Sequence, residues 1–229
     1  MAGTRAAQRR ATQTALITEA RQRFATEGYT AVRLSNVVDA LGMTKGALYH
    51  HFTSKHDLFR AVVQQVQQEV ADRVQAAARP GAGPWEELIA GCEAFLASYS
   101  NPETRQIMLI DAPTVLGWRE WKEMDGAYSE RLLTEVLTSL MENGTLVSRP
   151  VEPMVHLLSG AMNEAALWLA ETDSPTALKD TMGALQCMLG SLRADGIAPS
   201  AEASSVEGMS AQLPSSDNVV LKGIREEPN

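Results

Sequence analysis

The chain has 229 residues, 45% of them hydrophobic, enough for one or two domains around a substantial core. Its net charge is −8, and its two cysteines, Cys92 and Cys187, lie far apart without CxxC spacing, which indicates neither a zinc site nor a disulfide framework. The N-terminus lacks a secretory apolar run, and no apolar stretch reaches the roughly 18 residues of a membrane span. A cytoplasmic protein with no membrane partner is expected.

In chain order, residues 1–9 read as an arm, and Arg5, Arg9 and Arg10 are placed to reach phosphates. Leu16, Ile17, Ala20 and Phe24 share one face of a helix over 11–27 that stops at Gly28. Tyr29 and Val32 then pack under the next two helices. Leu34, Val37, Val38 and Leu41 fall at helical spacing over 34–41, and Gly42 supplies a residue that can adopt the left-handed conformation. Thr44 offers a side-chain oxygen to cap the next helix, which runs through Leu48 to near Phe52. Two short helices joined by a tight glycine turn form a helix-turn-helix, whose second helix can enter the major groove of DNA. Only Leu48 and Phe52 of that helix face a core. Lys45, Gly46, Tyr49, His50 and His51 face outward, with Lys55 just beyond.

Asp57 opens a fourth helix whose stripe of Leu58, Val62, Val66, Val70 and Val74 extends to about Ala78. The breaker at 80–84 comes only afterwards, so this helix belongs to both halves. A helix over 85–99 carries Leu88, Ile89, Cys92, Phe95 and Leu96. The next starts at Asn101-Pro102, carries Ile107, Met108 and Ile110, and ends at Asp111-Ala112-Pro113. A long helix over 118–143 comes after it, through Trp121, Met124, Tyr128, Leu132, Val136 and Leu140, with Gly144 as its stop. Two final helices cover 153–170 and 175–192. They are rich in small residues (Ser159, Gly160, Ala161, Ala165 and Ala166; Gly183, Ala184, Gly190 and Ser191) that suit close helix approach, within one chain or between two. No strand pattern is present, so the fold class is all-α. The Ala/Ser/Pro/Gly-rich stretch over 194–229 reads as a disordered tail.

The charge is unevenly divided. Residues 1–60 carry nine Lys/Arg and four Asp/Glu, a net of +5, whereas residues 61–229 carry eleven and twenty-four, a net of −13. A basic end that coincides with the helix-turn-helix, on a body that phosphate repels, orients the molecule toward nucleic acid.

The run KGALYHHF from Lys45 to Phe52, with Phe24, Gly28, Gly42, Ser54-Lys55 and Leu58, resembles the TetR family of bacterial transcriptional regulators. The resemblance is specific over 11–60 and looser beyond. The chain departs from the family where a capping residue and an acid usually open the second helix: Arg33 and Asn36 stand there instead. Val38 replaces the usual alanine. The resemblance implies an N-terminal three-helix DNA-binding domain (1–60), joined by a long fourth helix to a helical ligand-binding and dimerisation domain (61–193), about nine helices in all. It also implies a homodimer through the last two helices, a double-stranded palindromic operator and a small-molecule effector.

For base edges, Lys45 is the strongest reader, because a cation near the helix start can donate to guanine. Thr44, Ala47 and Ser35 are lesser readers, and Gly46 allows close backbone approach. For phosphates, the resemblance assigns Tyr49, His51 and Lys55; His50 and Arg33 are added by position. Adjacent histidines diverge by about 100° on a helix, and no acidic or cysteine partner is near, so no metal is expected. The implied effector cavity draws on Phe95, Tyr99, Met108, Leu116, Trp118, Trp121, Met124, Met162 and Trp168, each of which, taken singly, fits an ordinary core better than a pocket wall. Arg105, Asp111, Asn163 and Glu164 are the polar groups that would orient a ligand. No G-x-S-x-G elbow, phosphate loop or HExxH motif occurs, so neither an enzyme nor a cofactor is expected. The reading is a repressor released by a small apolar effector. The alternatives are a regulator without an effector or acting as an activator, and, more remotely, a helical ligand-binding protein without DNA binding.

Overall fold

Helix α1 (Ala2–Ala31) takes in the segment expected to be a loose arm. Residues 1–9 are dominated by alanine, arginine and glutamine, strong helix formers that extend the first helix backwards. The computed structural model describes residues 2–78, 81–125, 129–172 and 174–195. The expectations for Pro80, for Tyr128 and for the tail beyond Asp195 lie outside these.

Gly28 interrupts α1 with φ 74° and ψ 157°, a backbone region open in practice only to glycine. The break turns Tyr29 back onto the bundle, where its ring lies 5.7 Å from Phe24 and 4.9 Å from Phe59. Helices α2 (Leu34–Ala40) and α3 (Lys45–Tyr49) come next, then α4 (Lys55–Ala77). Ser54 caps α4 by accepting from the Asp57 amide at 3.0 Å, and the Asp57 carboxylate accepts in return from the Thr53 amide at 2.9 Å. This reciprocal cap explains why α4 begins two residues before the expected Asp57.

The body comprises α5 (Pro84–Tyr99), α6 (Pro102–Arg105), a π-helical segment (Gln106–Asp111), α7 (Ala112–Val115), α8 (Trp118–Asp125), α9 (Arg131–Glu142), α10 (Val151–Glu171) and α11 (Ala177–Gly190). The helix expected to end at Pro113 continues to Val115. Proline lacks an amide hydrogen and crowds the carbonyl four residues back. The turn before it is widened, with the Ala112 amide reaching the Ile107 carbonyl five residues away, so the chain passes the proline without stopping. The described residues contain no strand, only an isolated bridge between Leu146 and Arg193.

One apolar cluster runs through both halves, from Leu16, Phe24, Val37, Leu48 and Phe59 to Val66, Leu96, Ile107, Leu137 and Leu140. Helix α4 is its axis, packed on α1 and on α5, while α5 in turn meets α9 and α10. Arg21 clamps the same junction from α1, pairing with Glu69 on α4 at 2.5 Å and with Glu103 on α6. Burial pulls the Arg21 guanidinium down, yet the bonds to Glu69 and Glu103 outweigh it and leave the group raised. The Arg21 hydrogen bond holds the Glu69 carboxyl below its ordinary range.

A carboxyl depressed in the folded state contributes stability that is fully present above its ordinary value of 4.5 and is lost as pH falls through the lower folded value. Urea unfolding from pH 7 to pH 3 is expected to show stability falling on that acid limb. Arg21→Met should lower stability at pH 7 and flatten the limb.

Candidate nucleic-acid interface and effector cavity

Helix α2 has no side-chain cap at Arg33, whose extended backbone simply enters the helix. Its other end is closed firmly. The Gly42 amide bonds the Asp39 carbonyl at 3.1 Å and the Met43 amide bonds the Val38 carbonyl at 2.8 Å, with Gly42 at φ 62°. This paired closure needs a left-handed residue at Gly42, and it fixes the angle at which α3 leaves. Thr44 then caps α3, its hydroxyl oxygen accepting from the Ala47 amide at 3.2 Å.

Leu48 and Phe52 are buried, as their spacing requires. Around them the outward face of α3 is solvent-facing: Lys45, Gly46, Tyr49 and His50 are exposed, while Ala47 and His51 are half-buried. Tyr49 is 55% exposed, a large ring with no core to fill. Arg33 and Thr44 are exposed and Ser35 is half-buried, its hydroxyl 3.3 Å from Asn36 Oδ1. All ten residues singled out for DNA therefore lie on α2, α3 and their flanks.

Among the cations of this face, Lys55 is engaged by the protein itself. Its ammonium donates to the Thr30 carbonyl at 3.3 Å and lies 4.4 Å from the centre of the Tyr29 ring. Burial lowers its pKa, and the Asp111 carboxylate opposes that shift. Two of the three ammonium hydrogens remain for a phosphate, so the cation is pre-positioned rather than freely mobile.

In the body, α4, α5, α9 and α10 enclose a cavity of about 300 Å³. Its wall is mostly apolar: Val74 from α4, Leu88, Cys92 and Phe95 from α5, Leu132, Leu133 and Val136 from α9, Leu158 and Met162 from α10. Burial pushes the Cys92 thiol up to about 12, which keeps it neutral and unreactive.

Of the residues singled out for an effector, Phe95 and Met162 line this cavity. The others lie elsewhere. Tyr99 and Met108 are buried in the core, and Tyr99 packs on Phe95 at 4.8 Å. Leu116 is buried too, and Met124 is half-buried against the same cluster. Trp118 and Trp168 are 67% and 50% exposed, away from any wall. Trp121 is buried beside Trp118, and both its Nε1 and the Asn163 Oδ1 lack a hydrogen-bond partner among the described residues. Glu164 faces solvent. Arg105 and Asp111 serve the backbone instead: Arg105 donates to the Ala170 carbonyl at 3.0 Å at the end of α10, and Asp111 accepts from the Tyr29 amide at 2.9 Å.

Most of the cavity wall goes unmarked in the sequence. The signal for it is that Val74 on α4, Leu88, Cys92 and Phe95 on α5, and Leu132 and Val136 on α9 each continue an apolar stripe. A stripe that meets a neighbour and one that faces a void look alike in sequence.

Residues 16–62 match the family described as bacterial regulatory proteins, tetR family, and residues 85–192 match the tetracyclin repressor-like, C-terminal domain. The chain is 24% identical over 151 residues to the TetC protein of transposon Tn10 from Escherichia coli, covering 66% of this chain and 76% of that one. It is 30% identical over 115 residues to an HTH-type transcriptional repressor from Mycobacterium tuberculosis, covering 49% of this chain and 60% of the other. A crystal structure of a TetR-family transcriptional regulator from Pectobacterium atrosepticum superposes with a TM-score of 0.70 at 29% identity, over 82% of this chain and 96% of that one. An exposed reading helix at one end, and a match to the same family in each half, lead to one conclusion: the chain belongs to the TetR family of bacterial transcriptional regulators.

Proposed function

We propose that the protein is a dimeric repressor that binds a palindromic operator and releases it when a small molecule fills the cavity of the body. The observation that carries this reading is the double duty of α4. Its first turn, opened by the Ser54 cap at Lys55, adjoins the reading helix, and Ala71, Val74 and Gln75 near its other end line the cavity. A ligand that alters the cavity end of one continuous helix displaces the reading end with it. Affinity then falls because two half-sites cannot both be met.

A second link supports the same coupling. Asp111, in the π-helical segment of the body, holds the Tyr29 amide, and the Tyr29 ring carries the Lys55 ammonium. Body and DNA-binding end thus share a short polar chain beside the apolar one. Two relatives named as HTH-type transcriptional repressors support repression, against one named as an activator, 34% identical over 80 residues.

For the dimer, the support is an unpartnered face on α10 and α11. Leu157 is 75% exposed, Trp168 50% and Met188 61%, and the space around Gly160 and Gly183 is open. A face of large apolar side chains beside small residues suits a self-complementary interface about a twofold axis.

Three outcomes are expected. With a duplex selected from a random pool, Lys45→Ala should relax base discrimination by about 1–3 kcal/mol in gel-shift titrations, whereas Tyr49→Phe should weaken all sequences alike. In sedimentation velocity, Leu157→Glu combined with Met188→Glu should convert dimer to monomer and abolish operator binding; a dimer that survives both changes rejects the α10–α11 interface. Asp111→Ala should speed hydrogen exchange at the Tyr29 amide by about tenfold, as loss of a charge-assisted bond requires.

A further inference from the structure

We infer that the cavity selects a lipophilic cation, an amphiphile with an alkylammonium-type head and an apolar body; this rests on the proposed reading of the cavity as the effector site. The volume, about 300 Å³, and the apolar wall set the body of the ligand. Charge sets its head. Glu87 from α5 and Glu135 from α9 both line the cavity, and among the described residues no lysine, arginine or histidine does.

The two carboxylates are not equivalent. Glu135 is shared with Arg131 at 3.3 Å, in a pair whose side chains are 60% and 66% exposed and screened by water. The half-buried Glu87 side chain has neither an ion pair nor a hydrogen bond among the described residues. It is a carboxyl group without a partner among the described residues, set in a mostly apolar wall. Lys122 comes near the wall, its ammonium 3.3 Å from the Ser159 hydroxyl, but it is paired with Glu130 and adds no net charge. Phe95 presents an aromatic ring in the same cavity, a surface that attracts cations. The acidic remainder of the chain, at −13 over residues 61–229, favours cations over anions. A carboxylate ligand would meet Glu87 with no counter-charge, whereas an ammonium would supply the partner that Glu87 lacks.

The test is isothermal titration calorimetry of the full chain with three probes that share one alkyl tail: decyltrimethylammonium, decanol and decanoate. The cation is expected to bind at least about fivefold tighter than the alcohol, with decanoate weakest. Glu87→Gln should remove the advantage of the cation over decanol. Glu135→Gln should have a smaller effect, because Arg131 already offsets that charge. If the cation binds no tighter than decanol, if decanoate binds best, or if Glu87→Gln leaves the order intact, the charge assignment is overturned while the cavity stands as an effector site. If none of the three binds, both the assignment and the effector reading fall.

Discussion

A single rigid rod sets what this molecule can do. Helix α4 has 23 residues, about 34 Å at the usual rise per residue, and its two ends lie in different parts of the molecule. One end is locked by the reciprocal Ser54–Asp57 cap next to α3, and the other forms part of a cavity wall. An α-helix resists bending over such a length unless proline, glycine or a bulge interrupts it, and α4 contains neither proline nor glycine. On the proposed reading, a displacement at the cavity would pass along the helix rather than be absorbed within it.

The contacts around α4 tie it to α1 on one side and to the body on the other. Apolar packing supplies most of the cohesion, since Val62, Val63, Val66 and Val70 are all buried. The polar links at the junction are few and specific. Arg21 joins α1 to α4 and α6, Arg60 reaches Glu120 on α8 at 2.6 Å, and Asp111 caps the turn at Tyr29. The Arg60 pair is mostly exposed and weak. The Arg21 cluster and the Asp111 cap are more sheltered, and they join the two halves where the π-helical segment brings the body against α1.

The departure at Arg33 illustrates how tertiary packing compensates for missing local signals. Helix α2 forms without the usual side-chain cap because Val37 and Val38 are both buried and its C-terminal end is closed at Gly42. Burying two valines outweighs a cap worth about 1 kcal/mol. Val38 in place of alanine is accommodated at 1% exposure.

Much of the architecture was legible in the residues themselves. Periodic apolar stripes, the glycine stops at Gly28, Gly42 and Gly144, and the cap at Thr44 are local facts, and local sterics and hydrogen bonding suffice to place helices of this kind. The outward face of α3 was legible for the same reason: a five-residue helix with one buried position must expose the rest. The cavity was not. Its wall comes from four helices far apart in the chain, and whether Trp118 faces solvent or Phe95 faces a void depends on how those helices cross. Likewise Asp111 carries no mark in sequence that it will cap Tyr29, 82 residues away. Sequence by itself determined the helices, their ends and the polar reading face, because these depend on neighbours within a few residues. Only the tertiary structure decided which apolar stripes fail to meet, and so where a ligand has room.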